Sequence, residues 1–211
     1  HATGCMLVPI LMRGGTIVLH AGFQAEKFLN AVQTHRINCA FLVPTMIYML
    51  IDRQRAHPAD TSSLETVIYG GSPMSPARLK EAIEVFGPVF MQIYSQSEAA
   101  NCATVLRRRE HVGCPDERYA SCGLPLAGIT VALLDEDNHP VAAGSVGEVC
   151  FRGPSVMQGY WNKPAESAET LRGGWLHTGD MAHEGPDGFL YIVDRRKEMI
   201  ASGGFNVYPR E

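Results

Sequence analysis

Three short segments hold more reactive side chains than a connecting loop needs. The run Gln92-Ile93-Tyr94-Ser95-Gln96-Ser97-Glu98 sets an aromatic ring, two hydroxyls and a carboxylate directly after an apolar strand pattern. Such a set can stack on a planar base, contact a phosphate and hold a hard cation. Trp175-Leu176-His177-Thr178-Gly179-Asp180 reads as a turn that presents a carboxylate, whose two oxygens can accept from vicinal hydroxyls as on a ribose. Asp194-Arg195-Arg196-Lys197-Glu198 crowds charge after another strand, and Ser202-Gly203-Gly204 follows, a chain able to bend between two bodies. Taken singly, each has a plainer reading: a polar strand end, a common Gly-Asp turn, a solvated charged loop. The histidines fit no metal-ligand spacing, and His177 and His183 read as surface residues beside the turn.

The elements that must position these segments differ between the halves of the chain. In the first half, apolar runs at Thr16–Leu19, Ala40–Val43, Thr66–Tyr69 and Val89–Tyr94 read as buried strands. Between them, Ala25–Arg36 places Phe28, Leu29 and Val32 on one helical face, and Thr45–Arg53 does so with Met46, Met49 and Leu50. Pro76 opens a third helix through about Phe86, with Ser75 as N-cap. Strand and helix alternating in this way argue for α/β architecture, a parallel sheet covered by helices. After about Val105 the texture changes to Gly, Pro and short strands. Ile129–Leu134 and Gly147–Arg152 flank a hairpin-like connection at Asp135–Asn138, and Phe189–Val193 is the last clear strand. This half reads as a small antiparallel, β-barrel-like subdomain.

Composition narrows the class. The net charge of −4 is too mild for an electrostatic nucleic-acid binder, so none is expected as a partner. The longest apolar run, Cys5–Met12, is eight residues against the roughly 20 needed to span a bilayer. No leader precedes it, and the six scattered cysteines read as core or surface thiols in a reducing compartment, so a cytoplasmic location is expected. The absence of an initiating Met and the abrupt end at Glu211 suggest a piece of a larger protein.

The order and spacing of the segments resemble the adenylate-forming superfamily of acyl-CoA synthetases, peptide-synthetase adenylation domains and luciferase. The likeness runs through Tyr69-Gly70-Gly71-Ser72-Pro73-Met74-Ser75, Tyr94-Ser95-Gln96-Ser97-Glu98, Gly147-Glu148-Val149-Cys150-Phe151-Arg152-Gly153, Gly159-Tyr160-Trp161-Asn162-Lys163-Pro164, Gly174 to Asp180, and Asp194 to Gly204. The last segment is similar to the acid–CoA ligase branch.

The resemblance implies two half-reactions: a carboxylate attacks ATP to give acyl-adenylate and pyrophosphate, then the CoA thiol displaces AMP. It implies Tyr94 against adenine, and Gly70, Gly71 and Ser72 lining the adenine and acyl pocket. Ser97 would contact the α-phosphate, Glu98 would hold Mg²⁺, and Asp180 and Arg195 would hold the ribose. His1 and Ser95 would border the acid substrate, and Lys197 would be the hinge of a C-terminal domain. On that basis residues 1–110 form the α/β subdomain, 111–194 the β-rich subdomain with the ribose turn, and 195–211 the hinge and the start of a further domain. The expected substrates are a carboxylic acid, preferably a fatty acid, ATP and CoA; a carrier-protein acceptor and a binding-only pseudoenzyme are the alternatives. The family's phosphate-cradling loop ending in Pro-Lys and its C-terminal lysine do not occur in these residues, so the chain alone is expected to be without ligase activity.

Overall fold

Apolar side chains at helical and two-residue spacing decide how the first half folds. The computed structural model describes residues 6–100, 102–195, 200–202 and 205–207, the last two stretches by backbone alone. It divides into two units, His1–Ile93 with Leu106–Ala120, and Tyr94–Val105 with Ser121–Glu211.

The first unit runs α1 (Val8–Met12), α2 (Ala25–His35), β1 (Cys39–Leu42), α3 (Pro44–Ala56), β2 (Thr66–Tyr69), α4 (Pro76–Phe86) and β3 (Phe90–Tyr94). β1 pairs in parallel with β2, and β2 with β3. Alternate residues Ala40, Leu42, Val67 and Tyr69 point into the core, where Leu29 and Val32 of α2, Ile47, Leu50 and Ile51 of α3 and Leu79 of α4 meet them. Burying each large aliphatic side chain contributes about 1.5–3 kcal/mol. Pro76 does occupy the first turn of α4, although the Ser75 side chain makes no capping bond there.

Two expectations fail here. Thr16–Leu19 is not a strand; with Cys39, Ala40 and Phe41 it lines an open cleft of about 1020 Å³. An apolar run becomes a strand only where a neighbour accepts its ladder, and β1, the end strand of its sheet, pairs with β2 on one edge and with no described strand on the other. On α3 the buried face is Ile47, Leu50 and Ile51, and Met49 stands 52% exposed, because the helix turns residues 47 and 51 toward α2 and α4.

The second unit pairs β4 (Thr104–Leu106) with β5 (Leu124–Pro125), then forms a four-stranded antiparallel sheet in the order β6 (Thr130–Leu134), β7 (Gly147–Arg152), β8 (Leu176–Glu184), β9 (Leu190–Arg195). Its core is Val149, Phe151, Leu176 and Ala182. A short helix, α5 (Pro164–Thr170), lies between β7 and β8 in sequence, and β10 (Ile200–Ser202) pairs with β11 (Phe205–Val207). The expected architecture, a helix-covered parallel sheet followed by an antiparallel one, is the one observed. Among the described residues no helix is long and apolar enough to cross a membrane, and no disulfide links the cysteines.

Gly70 leaves β2 pressed against β3. A Cβ at this buried position would stand 2.6 Å from the Ile93 carbonyl oxygen. Gly70→Ala should therefore destabilise the protein by about 1–3 kcal/mol, the cost of overpacking, read as a lowered urea midpoint with an unchanged slope.

Candidate active site

The strand that carries Asp180 is out of step with its neighbour. Glu148 pairs with Met181 and Cys150 with His177, so Val149 alone on β7 faces Thr178, Gly179 and Asp180 on β8. The expected turn at Thr178-Gly179-Asp180 is thus a bulge within one continuous strand. Gly179 makes the bulge possible: it adopts φ +73°, open only to residues without a Cβ penalty, although space around it is free. The bulge strips ladder partners from two amides, and side chains replace them. Gly179 N–H donates to Glu148 Oε1 at 2.9 Å, and Asp180 N–H to the Thr178 hydroxyl at 3.1 Å. That hydroxyl in turn donates to the Val149 carbonyl at 2.7 Å.

Lifted by the bulge, the buried Asp180 carboxylate gathers three side chains. The Tyr94 hydroxyl donates to Oδ2 at 2.7 Å, and Gln96 Nε2 donates to the same oxygen at 3.1 Å and to the Thr178 carbonyl at 2.7 Å. Arg195, directly opposite Asp180 on β9, brings Nε to 3.3 Å of Oδ1. Burial, and then the Asp180 charge, push the Tyr94 phenol well above its ordinary value, so it stays a donor. The Tyr94 ring meets Phe151 edge-on, with centroids 5.9 Å apart.

The loop after Tyr94 is tightly specified. The Ser95 hydroxyl donates to the Ala99 carbonyl at 2.5 Å and so serves the turn itself. Ser97 stands exposed at its tip. Glu98 is half-buried: its carbonyl accepts from Met157 N–H at 2.7 Å, and its Oε1 from the Tyr160 hydroxyl at 2.8 Å. Tyr160 is placed in turn by its amide, which donates to Ser167 Oγ on α5 at 2.8 Å. Glu98 Oε2 accepts nothing from the described residues, and a half-buried carboxylate oxygen of this kind suits a hard cation such as Mg²⁺.

Of the residues expected at the site, Tyr94, Ser95, Ser97, Glu98, Asp180 and Arg195 fall in the second unit, and Tyr94 and Arg195 meet on the Asp180 carboxylate. Gly70, Gly71 and Ser72 follow β2 in the first unit, the latter two exposed. His1 and Lys197 lie outside the described residues. His177 is not a surface residue but 7% exposed, its Nδ1 2.9 Å from Glu148 Oε2 and 3.3 Å from Cys150 Sγ. Its environment was hidden because the partners come from another strand. Sequence reading also missed Gln96 and the use made of Glu148 and Tyr160, although each lies within a quoted motif.

A family model described as AMP-binding enzyme matches residues 1–161. The chain belongs to that family. It is 48% identical over its whole length to the medium/long-chain-fatty-acid–CoA ligase FadD8 of Mycobacterium tuberculosis, covering 36% of that protein. It is 42% identical, again over its whole length, to a feruloyl-CoA synthase of Amycolatopsis, covering 42% of it. Among solved structures, the amide bond synthetase McbA of Marinactinospora thermotolerans superposes with a TM-score of 0.87 at 37% identity, over 93% of this chain and 39% of McbA. The chain therefore spans less than half the length of these relatives.

Glu148 has a pH signature. Burial works to raise its carboxyl, but hydrogen bonds from His177 and the Gly179 amide, with the charge of Arg172, outweigh it and hold the carboxyl below its ordinary value. A lowered folded value stabilises the protein above the unfolded value and loses that stabilisation as pH falls through the folded one. Urea unfolding of Glu148→Gln should thus show a deficit against the parent protein at neutral pH that shrinks below about pH 4.5. A deficit constant down to the acid limit would contradict this.

Proposed function

We propose that this chain carries the nucleotide-handling core of an AMP-forming acid–CoA ligase that activates a carboxylic acid, a fatty acid foremost, and passes it to CoA. The observation that carries the reading is the convergence of Tyr94, Gln96 and Arg195 on the Asp180 carboxylate, which joins three motif segments at one group. The similarity to fatty-acid and feruloyl-CoA ligases supports the same chemistry and leaves the acid's class broad.

The reaction joins two anions, so donors and cations must cover the charge that develops on the phosphate. On this reading Asp180 accepts from the ribose. Its Oδ2 already takes two bonds and its Oδ1 one, so a diol binds chiefly at Oδ1 or takes over the place of Gln96 or Arg195. Arg195, 67% exposed at its side chain, is the partner free to move toward the ligand. Tyr94 offers its ring to the adenine while its hydroxyl stays on Asp180. Gly70, Gly71 and Ser72 line the base and acyl side, Ser95 borders the acid, and the exposed Ser97 hydroxyl donates to the α-phosphate. Glu98 is the group that would hold Mg²⁺, aimed by Tyr160. Bound there, the cation would neutralise phosphate oxygens during attack. The carboxylate oxygen then bonds to the α-phosphorus as pyrophosphate leaves, and the thiol sulfur bonds to the acyl carbon as AMP leaves. Lys197 would serve as the hinge between the two steps.

Pyrophosphate exchange across a panel of fatty and aromatic acids, followed by thioester detection with CoA, tests the activity in the whole enzyme. Calorimetry tests the site. Asp180→Ala should weaken AMP binding by about 2–4 kcal/mol, the loss of charge-assisted hydrogen bonds, whereas Glu98→Ala should leave AMP nearly untouched and slow exchange. AMP affinity unchanged by Asp180→Ala would remove it from the ribose site.

A further inference from the structure

Beside the Asp180 bulge lies a second buried carboxylate, its oxygens taken up by protein donors. Glu148 is 4% exposed on β7. Its Oε1 accepts from the Gly179 amide at 2.9 Å, and its Oε2 from His177 Nδ1 at 2.9 Å and Arg172 Nη2 at 3.0 Å. Among the described residues His177 Nε2 is buried with no hydrogen-bond partner, which places the ring proton on Nδ1, facing Glu148. Arg172 is anchored separately, its Nη1 donating to the Glu169 carbonyl at 3.1 Å.

Glu148, Cys150 and His177 also keep their donor atoms within 4.8 Å of one another, as metal ligands do. A cation there would face the Arg172 guanidinium on the same carboxylate oxygen, and His177 would have to surrender the proton that holds Glu148. The arrangement is better suited to gripping backbone. The gripped backbone is the bulge: Gly179 N–H points away from the ladder, at φ +73°, and Glu148 is the acceptor that makes this conformation tolerable in a buried strand.

We infer that Glu148, held by His177 and Arg172, is a positioning residue that locks the Thr178–Gly179 bulge and thereby sets where Asp180 presents its carboxylate to the nucleotide. Without that acceptor, Gly179 N–H would seek a ladder partner, β8 would slip toward regular register, and Asp180 would leave the reach of Tyr94 and Gln96. The coupling is specific. It runs through one amide to the residue after it, so its effect should vanish when Asp180 has no carboxylate to place.

This inference rests on the ribose reading of Asp180, and the experiment separates the two. AMP dissociation constants are measured by calorimetry on the whole enzyme for the parent, Asp180→Ala, Glu148→Gln and the double variant. Glu148→Gln keeps the shape but must set a donor against either Gly179 N–H or His177 and Arg172, so AMP binding should weaken roughly fivefold or more. The double variant should bind AMP no more weakly than Asp180→Ala alone, because the two act as a unit. Unchanged affinity in Glu148→Gln, or losses that multiply in the double variant as for an independent structural defect, would overturn the inference. Asp180→Ala with undiminished affinity would overturn the ribose reading instead. Should Glu148→Gln not fold, Glu148→Asp serves in its place, since it keeps the charge on His177 and Arg172 but withdraws the carboxylate from Gly179 by one methylene; the same two outcomes decide.

Discussion

A carboxylate buried in a β-sheet must find donors, and a bulged strand must find acceptors; in the second unit these two demands are met by each other's neighbours. Asp180 is buried and takes the Tyr94 hydroxyl, Gln96 and Arg195. It can reach them only because β8 spends Thr178, Gly179 and Asp180 opposite Val149 alone. That irregularity survives because Glu148 and the Thr178 hydroxyl accept the amides the ladder abandons. An unsatisfied buried amide costs about 1–3 kcal/mol, so losing either acceptor would favour regular pairing over the bulge.

The same economy shapes the loop after Tyr94. Ser95 closes the turn through the Ala99 carbonyl, the Glu98 backbone is held by Met157, and Tyr160 fixes the Glu98 side chain. Ser97 at the tip is left exposed. A loop of this kind keeps its tip outward while its own polar atoms are spent internally, which confines it to few conformations before any ligand arrives. The motif around Gly159-Tyr160 thus contributes by support rather than contact, through an amide anchored on Ser167 of α5.

Glycines do different work in the two units. Gly70 allows two parallel strands to approach where a methyl group would stand 2.6 Å from a carbonyl, which is a packing requirement. Gly179 has open space around it and is needed for its backbone angle. Identical residues in two motif segments therefore answer to separate constraints, one steric and one torsional.

Much of this was legible in the residue order. The spacing of Leu29 and Val32, the proline at the first turn of α4, and the alternation of Val67 and Tyr69 determine local elements, because each depends on residues within a turn or two of one another. The motif segments likewise mark Tyr94, Glu98, Asp180 and Arg195 as the residues to watch. Tertiary structure decided what those residues touch. It left Thr16–Leu19 without a ladder, turned Met49 outward, buried His177, and converted a supposed turn into a bulge. In each case the outcome was decided beyond the local run: the sheet ends at β1 with no described strand on its outer edge, and Glu148 reaches Gly179 from 31 positions away along the chain. Periodicity reports which face a residue occupies. It carries no record of which distant side chain will satisfy an amide, since that depends on strand register, and register is set only when the sheet assembles.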